Sequence, residues 1–131
     1  MSDLDRIRQL IEDVYVRDMY VVRERETLSS EFHKCFCVLL PQLDGRTGLC
    51  ETITWEGPES LRGSNPKALE TDTRFEFPLI DITGDAAITK VVIHSNGQPV
   101  YTDYVSLYRV DGEWKIVSKL FHSHLRDSTS Y

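Results

Sequence analysis

Three tight-turn signals, Thr83-Gly84-Asp85, Asn96-Gly97 and Asp111-Gly112, cut residues 74–123 into four runs rich in β-branched and aromatic residues. The runs are RFEFPLIDI, DAAITKVVIHS, VYTDYVSLYRV and EWKIVSKLFHS. Asn-Gly and Asp-Gly supply two successive positions that tolerate positive φ, which the two-residue turns of twisted hairpins require. The spacing therefore predicts a meander of long antiparallel strands. Upstream, Leu4, Ile7, Ile11, Val14, Tyr15, Met19 and Val22 recur at the three-and-four spacing of one helix face. Ser2 and Asp5 read as a capping box at its start. TLSSEFHKCF reads as a second, shorter helix with Leu28, Phe32 and Cys35 inward, and CFCVLL with LCETITWE as a first hairpin or a pair of edge strands. GPESLRGSNPKALE reads as a loop holding one helical turn around Glu59 to Arg62. Helices first and strands afterwards define an α+β domain: a curved antiparallel sheet forming a cone, with the amino-terminal helices packed on its concave face. A chain of 131 residues is expected to make one such domain, with a loose tail after His124.

Charge and patterning exclude several function classes. The formal net charge of −6, with no Lys/Arg run, argues against a surface that tracks nucleic-acid phosphates. There is no apolar stretch long enough to span a bilayer, and MSDLDRIRQ is charged where a signal peptide is apolar, so a cytoplasmic protein without membrane attachment is expected. Cys35, Cys37 and Cys50 lack paired metal-site spacing and read as reduced thiols. His94 reads as facing solvent. His122 and His124 form a His-x-His pair with no third ligand, so no metal and no cofactor is assigned. No Ser-His-Asp arrangement, Cys-His pair, phosphate-cradling loop or nucleotide fingerprint is present.

The Asp111-Gly112 turn sets a strand register. Stepping outward from Val110 opposite Glu113 places Leu107 beside Ile116, Ser106 beside Val117 and Tyr104 beside Lys119, while Asn96-Gly97 places Thr89 beside Tyr104 and Lys90 beside Asp103. Asp103 with Lys90 then reads as an outer cross-strand ion pair. One face collects Ala87, Thr89, Ser106 and Val117 around Tyr104 and Lys119, with Tyr108 and Phe121 at its ends, a floor of small residues suited to a hollow. The other carries Ile88, Val92, Val105, Leu107, Trp114, Ile116 and Leu120. That is too much apolar surface for a lone domain. The helices roof one face, so a homodimer is expected through Val105, Leu107, Trp114 and Ile116, with Trp114 stacked on Arg109 there. Lys119 on this face either packs its stem and carries its amine to the rim or, if enclosed, needs a partner or gives up its proton, which makes Lys119 and Tyr104 the polar couple of the hollow.

GDAAITKVVIH and VYTDYVSLYRVDGEWKIVSKLF, after a helix carrying Tyr15 and the segment EFHKCF, resemble the nuclear transport factor 2-like superfamily, nearest its lumazine-binding and SnoaL-like branches. The resemblance implies a cystatin-like α+β cone, commonly dimeric through the outer sheet face, with a cavity between helices and sheet. The superfamily includes ketosteroid isomerase-like enzymes, cyclases, dehydratases and pure binding modules. Laying the isomerase pattern over EFHKCFCVLL puts its general-base aspartate at Leu40 and its second aspartate near Ser106, so both carboxylates are missing there, while Tyr15 lies near the phenol position of those enzymes.

These readings lead to a small-molecule-binding protein with an apolar cavity. Its ligand contacts are expected at Tyr15, Thr89, Tyr104, Ser106, Lys119 and Phe121. The alternative is an isomerase, cyclase or dehydratase acting on a hydrophobic carbonyl compound, for which Lys119, Tyr104, Tyr15 and His33 are the candidate acid, base and stabilising groups. A third reading is a protein-interaction subunit that uses the sheet face.

Overall fold

The computed structural model describes residues 1–17, 30–41, 50–54 and 72–124. The order is α1 (Asp3–Leu10), a π-helical turn (Ile11–Tyr15), β1 (Phe32–Pro41), β2 (Cys50–Thr54), β3 (Arg74–Thr83), β4 (Ala86–Ser95), β5 (Gln98–Val110) and β6 (Glu113–Ser123). The strands form one curved six-stranded sheet in the order β2-β1-β6-β5-β4-β3. The α+β class and the helix-on-sheet arrangement stand as expected. The sheet is mixed, however, because β1 runs parallel to β6.

The turn chemistry works as read. Asn96 and Gly97 have φ of 55° and 77°, and Asp111 and Gly112 of 53° and 81°, the paired positive values of primed hairpin turns. α1 begins at Ser2, whose Oγ accepts a 3.1 Å bond from the Asp5 amide and donates a 2.8 Å bond to the Asp5 carboxylate. Asp3 at the same helix start accepts from Arg109 at 2.9 Å and from the Trp114 indole at 3.2 Å, and these bonds hold its carboxyl below the usual range. Arg109 also reaches Asp85 at 2.8 Å and lies 5.2 Å from the Trp114 ring centre. The Arg109–Trp114 stack is present, but it clamps the helix start to the sheet.

The second helix read from TLSSEFHKCF does not extend through its last residues: Phe32 to Phe36 belong to β1, and residues 27–29 lie outside the described part. Phe32 and Phe36 are buried, whereas Cys35 is exposed. Phe32 and Cys35, three apart, share a face in a helix but lie on opposite faces of a strand, and the strand puts Phe32 inside and Cys35 outside. β1 and β2 pair antiparallel, as the hairpin reading has it, with β2 at the sheet edge and β1 inside it beside β6. The helical turn around Glu59 to Arg62 and the tail after His124 also lie outside the described residues.

The larger correction concerns which side chains face the helix. β5 and β6 keep the expected register from Val110 opposite Glu113 to Leu107 opposite Ile116, then shift: Ser106 pairs with Ser118, Val105 with Lys119 and Tyr104 with Leu120. Val117 is an extra residue on β6, a β-bulge, and beyond it every β6 side chain exchanges faces. A second shift near Pro99 moves β4 against β5, so that Thr89 opposes Val105, Lys90 opposes Tyr104 and Val91 opposes Asp103. Val105, Leu107, Trp114 and Ile116, expected at a dimer interface, are instead core residues at 0, 1, 5 and 0% exposure, packed with Ile7, Ile11 and Tyr15. Tyr104, Ser106 and Tyr108 take the outer face.

Candidate functional site

The helix fixes one wall of the site. Ile7, Ile11 and Tyr15 follow at steps of four, and all are buried. Four residues of a regular α-helix overshoot one turn by about 40°. The wider π turn over Ile11–Tyr15 removes that drift and keeps Tyr15 on the sheet-facing line. Its hydroxyl donates a 2.6 Å bond to Asp103 Oδ2, across 88 residues of sequence.

Asp103 comes from β5 and is 0% exposed; Lys119, from β6 just past the bulge, is 2% exposed. The Lys119 ammonium lies 3.6 Å from Asp103 Oδ2, 5.7 Å from the Tyr15 ring centre and 5.3 Å from that of Phe121. Burial pushes the amine below the ordinary lysine range, against the opposing pull of Asp103. Thr89 is buried on the same face, its hydroxyl donating to the Val105 carbonyl at 3.4 Å. The result is a tyrosine, a carboxylate and a lysine gathered under the helix among apolar and aromatic side chains.

Of the residues read from the sequence, the structure brings together Tyr15 and Lys119, with Phe121 and Thr89 on the same face. Tyr104 does not join them. It lies on the outer face, where the Lys90 ammonium sits 5.9 Å from its ring. Ser106 is also outside, hydrogen bonded to Ser118. His33 turns its Nδ1 to the Cys35 amide at 3.0 Å, a local contact on β1 rather than a group at the site. Asp103 is the residue that sequence reasoning misplaced: the Asp103–Lys90 pair does not form, because the shift near Pro99 opposes Lys90 to Tyr104. The isomerase pattern left a carboxylate missing near Ser106, and Asp103, three residues away, supplies one on the inner face. The signal that could have found it is Pro99, which disturbs the register of its hairpin.

The remaining histidines stand apart. His94 is half-buried and paired with Glu76 rather than turned to solvent. His124 contacts Thr102 Oγ1 at 2.7 Å and the His122 ring at 4.9 Å between centres. An open groove of about 620 Å³ runs outside α1, lined by Arg6, Leu10, Val14, Glu31, Trp114 and Lys115 among others; it is separate from the Tyr15–Asp103–Lys119 group. No helix among the described residues is long and apolar enough to cross a membrane.

An NTF2-like protein of unknown function from Methylobacillus flagellatus KT superposes with a TM-score of 0.67 at 21% identity, covering 94% of this chain and 93% of that one. One from Shewanella baltica OS155 gives 0.64 at 17% identity over 95% and 98%. At these identities the likeness speaks for the fold. The chain is also 41% identical over 49 residues to the aldolase FrzH of Cladobotryum sp., a match that spans 37% of this chain and 39% of that protein. The family profile described as "Putative lumazine-binding" matches residues 2–122. The chain therefore belongs to that family, and its fold is the one those NTF2-like structures share.

Proposed function

We propose that the protein is a small-molecule-binding module whose ligand is an apolar compound bearing a carbonyl or anionic group, recognised by Lys119, Asp103 and Tyr15 beneath the amino-terminal helix. The observation that carries this reading is the burial of Lys119 and Asp103 together, at 2% and 0% exposure. Removing two charges from water costs several kcal/mol per ion, and a hydrophobic pair of similar size is often as stable or more so. A polar centre retained at that cost is where a binding site is sought. The family's description supports a small heterocyclic or carbonyl ligand, since lumazine is both. Free Cys35 and Cys37 fit a reducing compartment such as the cytoplasm.

Lumazine and a small apolar ketone, each titrated calorimetrically into the purified protein, provide the test. At least one binds the wild type. The double variant Asp103→Leu/Lys119→Met binds it roughly tenfold or more weakly, the loss of one charge-assisted hydrogen bond. Equal affinity in the two proteins would sink the assignment of these residues. The second reading, acid–base catalysis on a carbonyl compound, is favoured by the partial likeness to an aldolase and by the Tyr15–Asp103 bond of 2.6 Å, which couples a proton donor to an acceptor. Turnover of the bound ketone, with loss of the rate in the same double variant, distinguishes it from plain binding.

The outer face supports a homodimer through residues other than those first expected. Leu79, Ile88, Tyr108 and Leu120 lie there with exposures of 45, 39, 56 and 47%. Leu79, Lys90, Tyr104 and Leu120 form one cross-strand row. A second copy meeting this row about a two-fold axis covers it with its own equivalent. Sedimentation equilibrium is expected to give twice the 15.1 kDa chain mass for the wild type and the single mass for Leu120→Glu. A wild type that stays monomeric at tens of micromolar, roughly, removes the dimer.

A further inference from the structure

Resting on the carbonyl-ligand reading above, we infer that Lys119 is a nucleophile that captures an aldehyde or ketone as an imine, with Asp103 carrying the protons and Tyr15 holding Asp103 in place. Such chemistry needs an amine able to exist without its proton, a nearby base to receive that proton, an acid to expel water, and an apolar surround for the rest of the carbonyl compound. A buried amine, a carboxylate that can take and return its proton, and two aromatic rings meet around Lys119 Nζ. The Lys119 amine lies beside the Tyr15 and Phe121 rings, with Asp103 Oδ2 at 3.6 Å, longer than the roughly 2.7–3.2 Å of a close N–H···O bond. That separation keeps the carboxylate within range of proton transfer through a small rearrangement. Tyr15 donates to the same oxygen at 2.6 Å and so orients it.

The other described lysines are placed differently. Lys115 donates to the Ser30 carbonyl at 2.9 Å and lies 3.5 Å from Glu113; Lys90 sits over Tyr104 on the outer face, and Lys34 is exposed. Lys119 is the buried one among the described residues.

The step balances with the groups at hand. The ammonium passes one proton to Asp103, and the free amine attacks the carbonyl carbon, forming a C–N bond as the C=O π pair moves to oxygen. Two proton transfers through Asp103, from nitrogen to oxygen, give the neutral carbinolamine and then protonate its hydroxyl. Water leaves with the C–O bond pair while the nitrogen lone pair closes the C=N bond. Ammonium, carboxylate and carbonyl thus become iminium, carboxylate and one water, with no change of total charge and no redox partner. The protonated imine is left paired with the Asp103 carboxylate.

The test uses the whole chain at pH 7 with phenylacetone as probe and cyanoborohydride as trap, followed by peptide mapping of every lysine. Reductive labelling at Lys119 is expected to exceed that at any other lysine by about tenfold or more, because burial favours its unprotonated amine. Asp103→Asn, shown folded by circular dichroism, is expected to label at Lys119 about a hundredfold more slowly, the low end of general acid–base effects. Labelling spread over the exposed lysines with Lys119 untouched overturns the inference, as does an unchanged rate in Asp103→Asn. Calorimetry on the same probe separates the two levels. Phenylacetone bound but never trapped at Lys119 refutes imine formation and leaves the binding module standing; a failure of phenylacetone and lumazine alike to bind removes both.

Discussion

Replacing Asp103 alone with alanine is expected to lower the unfolding free energy by about 3–5 kcal/mol, because Lys119 then loses its nearby carboxylate in a water-excluded site. Urea denaturation reads this directly as a lower midpoint at nearly unchanged slope. The double variant Asp103→Leu/Lys119→Met is expected to recover most of that loss, since neither charge then has to leave water, less about 1–3 kcal/mol for the Tyr15 hydroxyl that gives up its Asp103 acceptor. Both positions are enclosed by the helix-facing core, next to Tyr15 and Phe121, so an apolar pair of similar volume can pack there. Recovery of stability together with loss of ligand affinity means that the pair is kept for recognition or chemistry. A double variant as unstable as Asp103→Ala means that the pair is part of the scaffold, and the functional reading of the site then loses its main support.

The second large effect belongs to β1. Phe36 is 0% exposed and packs edge-on against Phe32 with ring centres 4.9 Å apart. Phe36→Ala is expected to cost about 3–5 kcal/mol, the usual range for emptying an aromatic site in a core. Cys35, one residue earlier and exposed, is expected to tolerate serine within about 0.5 kcal/mol. A helix over these residues with Cys35 inward predicts a substantial cost for Cys35→Ser. Thermal or urea midpoints for the two single variants decide between the patterns.

These two cases mark where sequence reasoning succeeds and where it stops. The helix start at Ser2, the hairpin turns at Asn96-Gly97 and Asp111-Gly112, and the four long strands after Arg74 were all legible, because each is set by residues within a few positions of one another. Lys119 is legible in the sequence as an inner-face lysine, with its amine either at the rim or enclosed, though with the wrong companion. Counting outward from the Asp111-Gly112 turn gives Tyr104, and counting assumes that no residue is skipped. The extra Val117 on β6 breaks that assumption, and the face exchange that follows replaces Tyr104 by Asp103 as the lysine's neighbour.

The same exchange explains why Val105, Leu107, Trp114 and Ile116 were placed outside. Their apolar character was read correctly as a demand for cover; the cover is the amino-terminal helix of the same chain. What the chain's local chemistry determined is the set of elements, their ends and their turns, since capping, turn conformation and side-chain periodicity act over a few residues. Which face of each strand looks at the helix was decided only in the folded sheet. A bulge is favoured by how several distant strands twist and pack together, and a one-residue slip in a structure of period two reverses every side chain beyond it.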